Sequence, residues 1–178
     1  MKGFSHIRVW GDANASDISA VVASPPVVGA ANYLAISGGG GDGAYGAGLL
    51  VGWTATGRRP SFEVVTGVST GALTAPFAFL GSAHDETLRE LYTRYSTNDL
   101  GSPRLFSALL GAPSLIDGKG LERLIARYID AHLLEAVARE HLLGRRLLVT
   151  TTNVEAEQPV IWNFGAIAAS SRAALVRS

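Results

Sequence analysis

The sequence predicts an α/β fold in which short buried strands run parallel and alternate with helices. Two apolar runs, Tyr33–Ile36 and Phe62–Thr66, each lead into a glycine-containing turn that opens a helix-compatible stretch. Strand, helix, strand and helix in this order are typical of parallel strands joined by right-handed crossovers. Charged residues make up only 17% of the chain, which agrees with a sheet buried on both faces.

The first part of the chain divides into a segment without predicted elements and a domain that begins near residue 32. Residues 1–31 are predicted to be irregular, because Pro25-Pro26 forces an extended backbone before the first clear strand. Residues 32–178 form the predicted domain. Its first helix begins at Asp42 and ends at Gly57, and its expected packed face consists of Ala44, Ala47, Gly48, Leu50, Val51 and Trp53.

The second part of the domain is predicted to be helical and then to return to strands. Leu88, Leu91, Tyr92 and Tyr95 have the spacing of an amphipathic helix over 83–96. Glycines and prolines break the pattern over 97–116, and amphipathic spacing returns over 121–129. A further helix is predicted from Leu133 to about Gly144, followed by a hairpin with strands Arg146–Thr152 and Pro159–Phe164.

Composition excludes several classes of protein. The 15 Lys+Arg residues balance the 15 Asp+Glu residues, so the basic surface of a nucleic-acid-binding protein is absent. Without cysteine there is no disulfide framework or thiolate metal site, and no His, Asp or Glu cluster has metal-ligand spacing. The long uncharged stretches are interrupted by Gly, Ser, Thr and Pro, and the first residues are not expected to act as an intact signal peptide, because no apolar segment follows Lys2. The chain as given is therefore expected to be soluble, while cytoplasmic and exported locations are not distinguished.

Gly67-Val68-Ser69-Thr70-Gly71 matches G-x-S-x-G, the nucleophile elbow. In this turn a strand passes sharply into a helix, and a serine in a strained conformation projects its Oγ above the sheet. The two glycines are needed because side chains there would collide with neighbouring backbone. A plain turn in which Ser69 only caps the helix is the alternative.

A second glycine turn, Gly38-Gly39-Gly40-Gly41-Asp42-Gly43, also joins a strand to a helix. Its backbone N–H groups converge at the positive end of a helix, which suits a phosphate or the oxyanion of an acyl transfer. A dinucleotide site requires an acidic residue at the end of the next strand, but Glu63 begins that strand. A P-loop is excluded because no G-K-[ST] follows. The dinucleotide pattern G-x-G-x-x-G occurs twice, at Gly38/Gly40/Gly43 and Gly41/Gly43/Gly46.

The two turns together resemble the patatin-like phospholipase family, whose signature is S-G-G-G-x-R-G followed by G-x-S-x-G. Residues 37–50, SGGGGDGAYGAGLL, match the first block, and TGVSTGAL matches the second. LLVTTTNVEAEQPVIWNFGAIA is similar to a later strand pair, so the resemblance covers residues 33–168. Asp42 stands where the family usually has Arg. Some bacterial members also carry an acidic residue at this position. A carboxylate there is unfavourable for an oxyanion unless it points away to cap the helix.

The resemblance implies a three-layer α/β/α fold and a lipid acyl hydrolase that uses a Ser–Asp dyad without metal or cofactor. It implies that Ser69 is the nucleophile and that the substrate is a lipid or a small ester. Membrane contact would involve 97–116 with Leu105, Phe106, Leu109 and Leu110, although core packing explains these residues equally well. The implied oxyanion hole consists of backbone N–H groups from Gly38, Gly39, Gly40, Gly41, Gly43 and Thr70.

The resemblance also implies a dyad Asp in a downstream D-G-G or D-G-A turn, and this sequence has none. Asp117-Gly118, the only D-G pair after Ser69, precedes an amphipathic helix and is explained by a turn or cap. A triad histidine is not indicated, because His84, His132 and His141 all fall in helix-like segments. We therefore expect a domain truncated before its dyad Asp, with weak hydrolysis and an exposed apolar sheet that favours self-association.

Two alternative functions remain open at this point. The first is a nucleotide- or phosphate-binding α/β module that uses the glycine turn over 38–43. The second is a non-catalytic interaction domain that keeps the fold without the chemistry. Labelling of Ser69 by a fluorophosphonate distinguishes both alternatives from an acyl hydrolase.

Overall fold

The computed structural model describes residues 7–23, 31–93, 122 and 125–175, the side chains of 172–175 excepted. Its centre is a five-stranded sheet with strand order β1-β5-β4-β3-β2. β2 pairs in parallel with β3 and β3 with β4, while β5 is antiparallel to both β4 and β1. Four of the five strands therefore point the same way, which confirms the predicted mainly parallel sheet. The strands are β1 Arg8–Trp10, β2 Tyr33–Ile36, β3 Val64–Val68, β4 Arg146–Asn153 and β5 Gln158–Asn163.

The helices lie on both faces of this sheet. Six are described, together with short 3₁₀ turns at Gly40–Asp42 and Ser82–His84 and a helical stretch over 125–128. None of the helices in these ranges is long and apolar enough to cross a membrane. The helices are α1 Ala15–Val22, α2 Gly43–Ala55, α3 Thr70–Leu80, α4 Asp85–Thr93, α5 Ala131–Leu142 and α6 Phe164–Leu175.

The main core lies between one face of the sheet and helices α2 to α6. The strand register places Leu34, Val65 and Leu147 side by side on this face. Val65 and Leu147 are fully buried, and they share one cluster with apolar residues from all five helices. The helix α3 packs directly on β3, which fixes the end of that strand relative to the beginning of α3.

The opposite face of the sheet is covered by α1 over β1 and β5. Leu148 and Asn163 are register partners on this face, and the Asn163 amide donates a hydrogen bond to the Val21 carbonyl at 2.7 Å. Arg146, on the same face of β4, donates from Nε to the Ala23 carbonyl at 2.6 Å. Helices on both faces confirm the three-layer α/β/α arrangement.

The N-terminal segment differs from the expected irregular structure, because residues 8–10 form β1 and residues 15–22 form α1. Asn14 caps α1 by accepting a hydrogen bond from the Asp17 backbone N–H at 3.0 Å. Three residues of strand carry too little periodicity to be recognised, since β1 is stabilised by pairing with the distant strand β5. The Asn14-x-x-Asp17 spacing was the available signal for the helix.

The expected packed face of α2 is only partly correct. Ala47 and Leu50 are buried, whereas Ala44, Gly48 and Trp53 are exposed to solvent. The cause is position: α2 packs mainly on α3 and α4 and lies beside β2, the edge strand, so one flank has no neighbour among the described elements. The predicted hairpin is confirmed by β4 and β5. Asp117 and the segment 97–116 lie outside the described residues.

Candidate active site

Ser69 lies at the junction of β3 and α3 in a strained backbone conformation. Its φ is 56° and its ψ is −126°, and it is one of two non-glycine residues with positive φ among those described. Such a conformation costs on the order of 1–3 kcal/mol and persists only where surrounding packing enforces it. The Ser69 side chain makes no capping hydrogen bond to α3. Ser69 therefore does not cap α3 through its side chain.

The two glycines that flank Ser69 are required by close backbone contacts. A Cβ on Gly67 would lie 2.3 Å from the carbonyl oxygen of Gly71 and 2.8 Å from Ala75 Cβ. A Cβ on Gly71 would lie 2.4 Å from the carbonyl oxygen of Ile36 and 2.7 Å from that of Ser37. The first pair closes the turn on itself, and the second presses α3 against the end of β2. The sharp strand-to-helix turn predicted by the motif is therefore present.

The glycine turn after β2 lies directly beside Ser69. A Cβ on Gly38 would lie 2.7 Å from Ser69 Cβ and 3.3 Å from Ser69 Oγ. Gly40 has φ 56° and begins the 3₁₀ turn through Gly41 and Asp42, which passes into α2 at Gly43. Because Gly38 carries no side chain, the nucleophile candidate and the turn approach within contact distance.

The amino ends of α2 and α3 meet at this point. A Cβ on Gly43 would lie 3.0 Å from Thr70 Cβ, and equally 3.0 Å from Thr70 Oγ1 and from Tyr92 Oη. The first residues of a helix carry N–H groups without intrahelical partners, and the helix dipole is positive there. Two such ends beside Ser69 Oγ make a site suited to an anionic oxygen. The geometry thus brings together the predicted residues Gly38, Gly39, Gly40, Gly41, Gly43, Gly67, Ser69, Thr70 and Gly71.

A buried hydroxyl network supports the beginning of α3, and no sequence motif indicated it. Tyr92 Oη donates to the Thr70 carbonyl at 3.2 Å and lies 2.8 Å from Thr74 Oγ1. Thr70 and Thr74 are almost fully buried. Burial raises the pKa of the Tyr92 phenol, partly offset by the Thr74 hydrogen bond. Tyr92 therefore remains a neutral donor to the Thr70 carbonyl, which lies in the Thr70–Gly71 peptide at the beginning of α3. The available signal was a tyrosine at a core-facing helix position, since a buried phenol needs a partner.

Asp42 occupies the cap position of α2, but its side chain accepts no capping hydrogen bond. The residue is exposed and borders the cleft described below. A carboxylate at this position would be harmless to an oxyanion only if it pointed away to cap the helix. The Asp42 side chain does not meet that condition.

The described histidines lie far from Ser69. His84 follows the carboxyl end of α3, and eleven residues of helix separate the two ends by roughly 16 Å. Burial lowers the pKa of His84, and so does His132, while Asp85 opposes them. His141 lies near Arg146, and the register partner of Arg146 is Val64. Val64 is the first residue of β3, whereas Ser69 follows the last residue of that strand. The expectation that these histidines are not triad members agrees with this placement.

Three other carboxylates among the described residues, Asp85, Asp130 and Glu63, are engaged away from Ser69. Asp85 pairs with the Arg59 guanidinium at 2.6 Å, and Asp130 caps α5 by accepting from the Leu133 N–H at 2.8 Å. Glu63 accepts from the Asn32 N–H at the amino end of β2. That end of the sheet is opposite the glycine turn, so a dinucleotide site lacks its acidic residue, as the order of residues predicts.

A cleft of about 300 Å³ begins at the glycine turn and follows the outer edge of β2 along α2. Its walls are mostly apolar, and Asp42 is the only acidic or basic residue among them. The residues that line it are Leu34, Ala35, Ile36, Ser37, Gly38, Gly39, Asp42, Gly43, Tyr45, Gly46, Leu49, Leu50 and Trp53.

Comparison with known proteins places the chain in a family. No curated protein and no solved structure gave a significant match. The family model described as patatin-like phospholipase matches residues 34–172, which include both glycine turns, Ser69 and the β4–β5 hairpin. The match covers well over half of the 178 residues. The chain therefore belongs to the patatin-like phospholipase family, a family of lipid acyl hydrolases.

Proposed function

We propose that this chain is a serine acyl hydrolase that cleaves carboxyl esters of lipids, with Ser69 as its nucleophile. The observation that carries the proposal is the left-handed backbone of Ser69, held with its side chain against Gly38. Strain of this kind clusters at functional sites. Its position between two helix amino ends supports acyl transfer, because negative charge develops on an oxygen during that reaction.

In the proposed reaction, Ser69 Oγ attacks the ester carbonyl and loses its proton to a base. The tetrahedral oxyanion accepts hydrogen bonds from the Thr70 N–H and from N–H groups of the turn over 38–43. Each such donor contributes on the order of 2.7–4 kcal/mol to stabilisation of the transition state. Collapse of the intermediate breaks the bond to the alkoxy oxygen, which leaves as the protonated alcohol, and water then hydrolyses the acyl-enzyme.

The proposal assigns no base among the described residues, since Asp85, Asp130 and the described histidines lie elsewhere. The glycine turn and Tyr92 act without proton transfer. The turn supplies N–H donors, and the Tyr92 hydroxyl holds the Thr70–Gly71 peptide by donating to the Thr70 carbonyl. Because a serine without a positioned base reacts slowly, we expect slow turnover from these groups alone.

Hydrolysis of p-nitrophenyl butyrate by the full chain tests the proposal. We expect slow hydrolysis by the wild type and the buffer rate for Ser69→Ala. Ser82→Ala is the matched control, because Ser82 is an exposed serine beyond the far end of α3. It should keep the wild-type rate. A wild-type rate no higher than that of Ser69→Ala would contradict the proposal and favour a binding or interaction role.

A further inference from the structure

We propose that two copies of this chain associate through the outward face of α2, with the two α2 helices antiparallel. In this dimer Arg58 of the partner subunit pairs with Asp42 beside the glycine turn, so each copy contributes a cation to the candidate site of the other. The dimer itself does not depend on the proposed function. Only the effect of Arg58 on the reaction of Ser69 rests on it.

The outward face of α2 is apolar and exposed. No residue between Asp42 and Arg58 is charged, and α2 packs on α3 and α4 through its other side. The large side chains on the outward face are Tyr45, Leu49 and Trp53, which are 78%, 57% and 36% exposed. Single exposed apolar residues are ordinary, but three at successive turns of one helix indicate an interaction surface.

A second row on this face contains only small residues. They follow one another at intervals of four, and all are exposed: Ala44, Gly48, Gly52 and Thr56. In an antiparallel pair related by a two-fold axis, each row opposes the same row of the other copy. The small rows therefore meet and let the two helix axes approach, while the rows of large side chains interlock beside them.

The register of such a pair follows from the spacing of the two rows. Antiparallel pairing about Leu49 places this residue opposite its own copy and places Tyr45 opposite Trp53 of the partner subunit, which makes an aromatic pair. Each copy buries on the order of 500 Å², which reaches the roughly 1,000 Å² in total that a specific interface needs. An interface at this lower limit is expected to dissociate at micromolar concentrations.

The two ends of α2 carry opposite charges, and this register brings them together. Asp42 and Thr56 are equally far from Leu49 along the chain, roughly 10 Å along the helix axis in either direction. Thr56 is therefore level with Asp42 of the partner subunit, and Arg58 follows Thr56 closely. Asp42 and Arg58 are both exposed, and neither has an ion-pair partner in the part of the chain that the structure describes. A second copy thus supplies the complementary charge at both ends, and opposed helix dipoles favour the same arrangement.

The pairing changes the electrostatics of the candidate site. Asp42 ends the glycine turn that would hold the oxyanion, and its carboxylate opposes negative charge there. Arg58 of the partner subunit offsets this carboxylate, so the dimer is expected to react faster at Ser69 than the monomer. A unit charge at about 8 Å in water changes a rate by roughly twofold.

Sedimentation equilibrium of the full chain between about 1 and 200 µM tests the interface. We expect a monomer–dimer equilibrium for the wild type and a monomer throughout for Leu49→Glu, because two glutamates would meet at the two-fold axis. Leu142→Glu is the matched control, since Leu142 is a 69% exposed leucine at the carboxyl end of α5. It should keep the wild-type dissociation constant. Both positions are exposed, so both variants are expected to fold.

Charge reversal tests the antiparallel register. Asp42→Arg and Arg58→Asp should each weaken the dimer by about 2- to 30-fold, because every dimer contains the pair twice. The double variant should return to within about twofold of the wild-type dissociation constant, because the pair is restored with its signs exchanged. A double variant as weak as the single variants would overturn the antiparallel register.

The remaining outcomes separate the dimer from other occupants and from the proposed function. A wild-type chain that stays monomeric, or equal weakening by Leu49→Glu and Leu142→Glu, would overturn the dimer. Flotation with phosphatidylcholine vesicles that Leu49→Glu abolishes and Leu142→Glu preserves would assign the face to a neutral lipid surface instead.

The rate of Ser69 phosphonylation above and below the dissociation constant tests the contribution of Arg58 to the site. Equal rates at both concentrations would overturn that contribution alone. No reaction at either concentration would overturn the proposed function, and sedimentation would still decide the dimer.

Discussion

Replacing Gly71 by alanine tests the packing that holds the two turns together. The new Cβ would lie 2.4 Å from the carbonyl oxygen of Ile36 and 2.7 Å from that of Ser37. Both contacts are with backbone, which cannot retreat as a flexible side chain would. Overpacking usually costs about 1–3 kcal/mol, and rigid neighbours place this substitution at about 3 kcal/mol. For a chain of this size the melting temperature should fall by about 6–12 °C.

Gly52→Ala is the control for this prediction. Gly52 also lies in a helix, but a Cβ there meets nothing within 4 Å. Alanine in place of glycine in a helix interior should stabilise the fold by about 1 kcal/mol, so the melting temperature should rise by about 2–4 °C. Calorimetry of both variants gives the comparison, and loss of Ser69 phosphonylation in Gly71→Ala gives the functional consequence. Equal melting temperatures for the two variants would refute the proposed contact between α3 and β2.

Three further predictions concern groups around the site and the core. Tyr92→Phe removes the hydrogen bond to the Thr70 carbonyl, so urea denaturation should show a loss of about 1–3 kcal/mol, with slower phosphonylation of Ser69. Asp85→Ala leaves the nearly buried Arg59 charge unpaired and should cost about 3–5 kcal/mol in the same assay; a loss below 1 kcal/mol would contradict the ion pair. Burial and Arg146 lower the pKa of His141, so the unfolded chain binds more protons and stability should fall as pH drops from 7 to 5. His141→Gln should reduce that slope, and an unchanged slope would refute the assignment.

The strands were predictable where a buried run ends in glycine. The apolar run Tyr33–Ile36 matches β2 at both ends, because the glycine turn stops it abruptly. The run Phe62–Thr66 was displaced by two residues, since β3 extends through Gly67 to Val68. The sequence treats Gly67 as turn, but parallel pairing with Ile36 and Val149 keeps it in the sheet. Long-range pairing therefore set a boundary that local propensity missed.

The burial of α2 could not be read from its sequence. The helix is apolar on all sides, so periodicity alone does not show which flank packs. Tertiary position decides it, because α2 lies beside the edge strand and packs on α3 and α4. The same position leaves Leu49 and Trp53 partly exposed and opens the cleft.

The candidate site was predicted as two motifs, but its contacts were not. The motifs required small residues at Gly38 and Gly71, and the close approaches now explain both requirements. The Tyr92 hydroxyl reaches Thr74 across 18 positions of sequence, and no local pattern identifies such a partner. The role of the Asp42 side chain depended on whether it caps α2, which only the side-chain geometry answers.

The most direct test of Ser69 as an activated nucleophile is intact-mass analysis after exposure of the full chain to a fluorophosphonate. We predict one phosphonyl adduct per chain on the peptide that contains Ser69, and no adduct in the Ser69→Ala variant. No adduct in the wild type, or an adduct that persists in the variant, would contradict the assignment of Ser69 as the nucleophile of an acyl hydrolase.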